Sequence, residues 1–215
     1  LYELLCKLMM RGNKATIIKH SSQNLIIPDF NVATGVRPKS VLFVYTSLKN
    51  FLCHGLASLG VQSDAANGAD ARIKFFNSVS TLDTVALGQM NKIQLISLIW
   101  VAEMTKIIAR FDEERNDQLF DFDIVMSSKT KGEITEILSN AFDIPILKSQ
   151  IANIETSPIW EKNSKGHSEG GYDVRRQKIT HAEVSEKDQI VAGMNWVINL
   201  CDQNIMFKPL LQYIE

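Results

Sequence analysis

The sequence lacks most of the residue patterns that identify an enzyme or a metal protein. It has three cysteines, Cys6, Cys53 and Cys201, which stand far apart and form no Cys-x-x-Cys pair. Neither a disulfide framework nor a zinc site is therefore indicated, and a reducing compartment is expected. No Gly-x-Ser-x-Gly, His-Glu-x-x-His, dinucleotide or Gly-Lys-Ser/Thr motif occurs. The sequence thus predicts a non-enzymatic protein with no cofactor and no metal.

Long apolar runs are also missing. The longest covers residues 93–102, is interrupted by Gln94 and Ser97, and is followed directly by Glu103. A membrane-spanning helix needs about 20 consecutive apolar residues, so no membrane span is predicted. No asparagine is followed two positions later by Ser or Thr, so no glycosylation acceptor argues for secretion. Together with the cysteine pattern, these absences predict a cytoplasmic protein.

Acidic residues are scarce in one part of the chain and basic residues are scarce in another, although the net charge of the whole chain is only −1. Residues 1–60 carry seven basic and two acidic side chains, a net charge of +5. Residues 111–146 carry nine acidic and three basic side chains, a net charge of −6. Two poles of opposite sign are typical of a protein that binds an anionic partner or associates head to tail with its own copies.

The apolar residues along the chain recur mainly with helical spacing. Ser40 is a candidate N-cap for a helix that runs to Leu59, and residues 62–70 read as a loop. Capping boxes predict three further starts: Asn91 with Gln94 for a helix to about Glu114, Thr130 with Glu133, and Ser185 with Asp188. A short helix is predicted over residues 71–79, and strand patterns occur only at residues 15–19, 25–27 and 120–124. The expected fold is a single, mainly α, multi-helix domain over residues 1–215 with at most a small hairpin.

The segment from residue 161 to residue 173 differs from the rest. Tyr172 is its only large apolar side chain. Such a segment cannot bury enough apolar surface to hold itself against a core, so we expect a long mobile loop within the domain. His167 lies within this segment and His181 follows it; the two could join Glu169 or Asp173 around a metal, but their spacing matches no known ligand set.

Basic side chains in or beside predicted loops are the candidate contacts for nucleic acid. Arginine and lysine neutralise phosphates, and an aromatic ring among them offers a stacking platform for a base. This pattern predicts binding to the backbone of single-stranded RNA without sequence choice. The candidate residues are Arg11, Lys14, Lys19, Arg37, Lys39, Tyr172, Arg175, Arg176 and Lys178.

The acidic pole offers a contact for self-association. If Asp112, Glu113, Glu114 and Asp117 dock on the basic segment of the next copy, the remaining cations stay available to a polyanion. In organisation alone, such a homo-oligomer is similar to the nucleocapsid and coat proteins of RNA viruses, although no residue motif is shared. A pI near 6.5 argues against the interpretation, because free nucleic-acid-binding domains are usually basic.

Two alternatives to this function remain open. The first is a helical adaptor that binds a protein partner through its charged ends and its loop. The second is an unfamiliar metal-dependent enzyme that uses Asp121 and Asp123, which a strand would place on one side at a spacing suited to a divalent cation. No third ligand lies near them in the sequence, so we expect both carboxylates to be structural or interfacial.

Overall fold

The computed structural model describes residues 41–79, 89–142, 145–158 and 172–215. The predicted fold class is confirmed, because the described residues are mainly helical and the two strands form one small sheet. In chain order the elements are β1 (Leu42–Tyr45), α1 (Leu48–Leu56), α2 (Leu59–Asn67), α3 (Ala69–Val79), α4 (Lys92–Arg110), a 3₁₀ turn (Glu113–Arg115), β2 (Gln118–Asp121), α5 (Phe122–Ser128), α6 (Lys131–Ala141), α7 (Lys148–Glu155), α8 (Tyr172–Ser185), α9 (Lys187–Gln203) and a C-terminal 3₁₀ segment (Ile205–Tyr213).

Helix α4 runs through the middle of the core, as its apolar residues on several faces predict. The capping box of Asn91 and Gln94 is present with both of its hydrogen bonds, which confirms the predicted start. Helices α1, α2, α3 and α9 and the C-terminal 3₁₀ segment all pack against α4. The helix ends at Arg110 and not at Glu114, because Phe111 takes an extended conformation and its ring packs on the core.

The first predicted helix, which was to start at Ser40 and run to Leu59, is wrong in its first part. Residues 42–45 form a strand, and the helix begins only at Leu48, where the Ser47 hydroxyl accepts a hydrogen bond from the Asn50 amide. Strand β1 pairs in parallel with β2, with Leu42 opposite Gln118 and Tyr45 opposite Asp121. A partner 76 residues away supplies the hydrogen bonds. The β-branched and aromatic residues over 41–46 do favour a strand, a local signal that the helical spacing of the apolar residues obscured.

Residues 62–70 are helical, so the predicted loop is wrong apart from a break between α2 and α3 at Gly68. Ala65 is buried, and α2 packs on α4, which stabilises a helix that its sequence alone favours weakly. The Asp64 backbone carbonyl accepts hydrogen bonds from the Gly68 amide and from the Arg72 guanidinium, both at 2.9 Å, so the side chain of α3 reinforces the end of α2.

Of the two capping boxes predicted at Thr130 and at Ser185, the first is confirmed and the second is wrong. Thr130 and Glu133 form the predicted capping box of α6, which packs against α7. Ser185, however, ends α8 and does not start α9, and the side chain of the actual N-cap, Glu186, makes no capping bond. The reason is tertiary: Ile179 and Ala182 of α8 are buried where that helix packs on α1, so α8 continues through residue 185.

Candidate nucleic-acid interface and the Asp123–Arg175 pair

The carboxyl ends of β1 and β2 lie side by side, because the two strands are parallel and in register. Asp121 is the last residue of β2, and Thr46 follows directly after β1. Polar groups at this edge of a parallel sheet often form functional sites. The strand ends at Asp121 and α5 begins at Phe122, so the prediction that Asp121 and Asp123 share one side of a strand is wrong.

Asp121 has a local structural role. Its Oδ1 accepts a hydrogen bond from the Ile124 amide at 2.9 Å and so caps the N-terminus of α5. Its charge also acts on Tyr45, whose pKa is raised by burial first and by the neighbouring carboxylate second. The Asp121 carboxylate therefore stabilises the end of β2 and the start of α5.

Asp123 lies in the first turn of α5 and forms a buried ion pair with Arg175 of α8. The guanidinium donates through Nε to Oδ1 and through Nη2 to Oδ2, both at 3.1 Å. The Thr46 hydroxyl donates a third hydrogen bond to Oδ2. The Asp123 side chain is 6% exposed and that of Arg175 is 22% exposed, so water screens the pair weakly.

Aromatic contacts complete the attachment of α8 to α5. The Tyr172 hydroxyl donates to the Asp123 backbone carbonyl at 3.0 Å, and the Tyr172 and Phe122 rings pack edge to face with their centres 5.8 Å apart. The Arg175 guanidinium lies 5.5 Å from the centre of the Phe122 ring. Burial raises the pKa of Tyr172, and the Asp123 charge raises it further, so its hydroxyl stays protonated and can donate. The first turns of α8 are thus fixed to the end of the small sheet.

The structure describes part of the nucleic-acid set predicted from the sequence. Tyr172 and Arg175 take part in the contacts just described, whereas Arg176 and Lys178 are exposed on α8. Tyr172 also begins a helix, so the last two residues of the predicted loop over 161–173 are helical. The remaining predicted contacts and loop residues lie outside the described part of the chain: Arg11, Lys14, Lys19, Arg37, Lys39 and residues 161–171.

The residues predicted to mediate self-association differ in exposure. Glu113 and Glu114 are exposed in the 3₁₀ turn, and Asp112 caps that turn by accepting from the Glu114 amide at 3.1 Å. Asp117 is buried: it accepts from the Val41 amide at 2.9 Å and from the Asp112 amide at 3.1 Å. Its carboxylate therefore holds β1 and the turn together and is not at the surface.

Sequence reasoning missed a group of basic side chains on α3 and α4. The Lys106 ammonium of α4 lies 4.8 Å from the centre of the Phe75 ring of α3. Arg72 precedes Phe75 by three residues, and Arg110 follows Lys106 by four, spacings that place each pair on one helix face. These spacings were visible in the sequence, but the packing of α3 on α4 that joins them was not.

In the described ranges, no three His, Cys, Asp or Glu side chains lie close enough together to hold a metal ion. His181 is exposed on α8, and its predicted companions His167 and Glu169 lie outside those ranges. None of the helices described is long and apolar enough to cross a membrane. The chain matches no protein-family model, no curated protein sequence and no solved structure.

Proposed function

We propose that this chain is a non-enzymatic, self-associating protein that binds single-stranded RNA through its phosphate backbone in a reducing compartment such as the cytoplasm. The observation that carries the proposal is the presentation of Arg176 and Lys178 on α8. Both side chains are exposed, and the helix that carries them is fixed by the Asp123–Arg175 pair. Cations on an anchored helix lose less conformational freedom when they bind a phosphate.

The different surroundings of the two adjacent arginines of α8 support this function. Arg175 uses its guanidinium within the chain, and its neighbour Arg176 points its side chain into solvent. An exposed arginine can donate two hydrogen bonds to one phosphate, and an exposed lysine can move to follow a flexible strand. The predicted contact by Arg175 requires the Asp123 pair to open and stays a prediction.

The hydrogen bonds that Asp117, Asp121 and Asp123 accept favour a binding protein over a metal-dependent enzyme. Asp121 caps α5, Asp123 accepts three side-chain hydrogen bonds, and Asp117 accepts two backbone amides. A divalent cation would have to displace these donors, and the free energy of the hydrogen bonds lost opposes its binding.

The RNA proposal is tested with the double variant Arg176→Ala/Lys178→Ala. If each side chain neutralises one phosphate, the slope of log affinity against log salt should fall by about 1.4, at roughly 0.7 per contact with a single strand. Filter binding of a uridine homopolymer at a series of salt concentrations measures this slope. The matched control is Lys92→Ala/Lys208→Ala, which removes two exposed lysines from other elements and should leave the slope unchanged. An unchanged slope in the α8 variant removes that helix from the interface.

Self-association is tested at the exposed acidic residues. We expect light scattering to show oligomers at low salt that dissociate as salt is added, because screening limits charge interactions to about 8 Å at physiological ionic strength. Glu113→Lys/Glu114→Lys should give monomers. The control Asp188→Lys/Asp202→Lys reverses two exposed charges on α9 and should remain oligomeric. A monomeric parent protein at low salt contradicts the proposal.

A helical adaptor is the second candidate, and the exposed apolar side chains are the observation that bears on it. Leu59 is 83% exposed, Val184 is 80% exposed and Ile205 is 81% exposed. Exposed apolar groups are normal when single and indicate a protein interface when they form one patch. A purified protein whose absorbance ratio at 260 and 280 nm shows no nucleic acid, and which does not retain RNA on a filter, would place the adaptor first.

A further inference from the structure

Strand β1 has one edge that pairs with no strand in the described part of the chain. On its other edge, the Gln118 amide of β2 donates to the Val41 carbonyl at 3.0 Å. Backbone groups of successive residues point to opposite edges of a strand, so Phe43 also faces β2, whereas Leu42 and Val44 face away from it. Within the described ranges, no hydrogen bond reaches the backbone amide or carbonyl of Leu42 or Val44. Four main-chain groups are therefore available along this edge.

The free edge of β1 also carries none of the usual protection. Proteins commonly shield such an edge with charged side chains or proline, because an open edge pairs readily with other strands. Residues 40–47 include no charged residue and no proline, and the Val44 side chain is 51% exposed. Strand β2, by contrast, follows directly after Asp117 and ends at Asp121. Parallel sheets are normally larger than two strands, so these features indicate that β1 accepts a further strand.

The edge of β1 is complementary to itself. When two β1 strands meet antiparallel about a two-fold axis at Phe43, Leu42 of one copy lies opposite Val44 of the other. Each of the two Leu42–Val44 pairs exchanges two main-chain hydrogen bonds, so all four free groups of each copy acquire partners. Both side chains lie on the same face of the strand, so the exposed Val44 packs beside Leu42 of the second copy.

We propose that β1 is a self-association edge, at which two copies of this chain join their β1 strands antiparallel and form one four-stranded sheet. The contact closes on itself, whereas the acidic turn at Glu113 and Glu114 would join copies head to tail. Its occupancy rests on the self-association proposed above, because four main-chain hydrogen bonds alone correspond to an affinity of only about 1 mM. Copies that a second contact holds together meet at a much higher effective concentration.

Cysteine cross-linking tests the contact and its register. The Cα atoms of a hydrogen-bonded antiparallel pair are about 5.5 Å apart, which suits a disulfide. A mixture of Leu42→Cys and Val44→Cys proteins should therefore form a mixed disulfide dimer at low salt with copper phenanthroline as oxidant. Either variant alone should form far less, because identical residues lie diagonally, about 7–8 Å apart. The control is Leu59→Cys, at a residue that is 83% exposed, and all variants carry Cys6→Ser.

Amide exchange measured by NMR gives a second readout that needs no substitution. Exchange at Leu42 and Val44 should slow as the protein concentration rises, whereas exchange at Phe43, which faces β2, should not change. Equal concentration dependence at all three amides overturns the contact. Circular dichroism establishes that both cysteine variants keep the fold of the parent protein.

The outcomes separate the β1 contact from the proposed function. A mixture that cross-links no faster than Leu59→Cys, while light scattering shows oligomers of the parent protein, overturns the β1 contact and leaves self-association in place. Mixed cross-linking in a protein that light scattering shows to be monomeric at low salt supports the β1 contact and overturns association through the acidic turn. A monomeric protein that forms no mixed dimer overturns both.

Discussion

Replacing Asp123 by asparagine should destabilise the protein more than any change of an exposed charge. The substitution keeps the shape of the side chain but removes its charge, which leaves the Arg175 guanidinium largely buried without a counterion. Removing one partner of a buried ion pair typically costs about 3–5 kcal/mol. Arg175 retains some contact with water, so we expect the lower end, about 3 kcal/mol.

The expected shift in melting temperature follows from chain length. For chains of about 150–250 residues, 1 kcal/mol corresponds to roughly 2–4 °C, so Asp123→Asn should melt about 6–12 °C below the parent protein. Circular dichroism during heating and urea titration measure the change. Arg176→Met is the matched control, because it removes an exposed charge one residue from Arg175 and should stay within about 0.5 kcal/mol of the parent.

A double-mutant cycle identifies the pair as the cause. Arg175→Met should cost a similar amount, because Asp123 is then buried without its main partner. The variant with both substitutions should lose less stability than the two single losses added together, with a coupling of about 2 kcal/mol. Coupling below about 0.5 kcal/mol, or a melting point of Asp123→Asn equal to that of the parent, would refute the assignment of this pair as the attachment of α8.

Three further outcomes are expected. Burial raises the pKa of the Cys53 and Cys201 thiols to about 11, so below pH 9 iodoacetamide should label both far more slowly in the native protein than in guanidine, as mass spectrometry will show. Thr130→Ala removes a hydroxyl that accepts the Glu133 amide and should cost about 1 kcal/mol in urea titrations, with serine at this position restoring it. Gly193→Ala would place a Cβ 2.9 Å from buried side-chain carbons of α1 and α4, and should lower stability by about 1–3 kcal/mol despite the better helix propensity of alanine.

The helix starts that the sequence predicted correctly depend on contacts within one turn. Asn91 with Gln94, and Thr130 with Glu133, exchange hydrogen bonds across three residues, and these bonds form in any chain that begins a helix there. Ser185 has the same pattern but lies inside α8, because packing of Ile179 and Ala182 outweighs a cap worth about 1 kcal/mol. Capping signals therefore locate helix starts only where tertiary packing does not compete.

The candidate site was only partly predictable. The sequence singled out Asp123 and Arg175 separately, the first as a structural carboxylate and the second as an RNA contact. Their pairing joins residues 52 positions apart, and no pattern in either segment indicates it. Similarly, Lys106 and Phe75 come together only because α3 packs on α4.

The sequence by itself determined the helical class of the protein, since helical periodicity and capping act through residues three and four apart. Only the tertiary structure decided that residues 42–45 pair in parallel with residues 118–121, that Asp117 and Asp123 are buried, and that α8 is attached to the end of β2. The physical reason is loop closure. Contacts between distant residues cost conformational entropy that burial and hydrogen bonding offset only once the whole core has formed, so no local segment carries their signature.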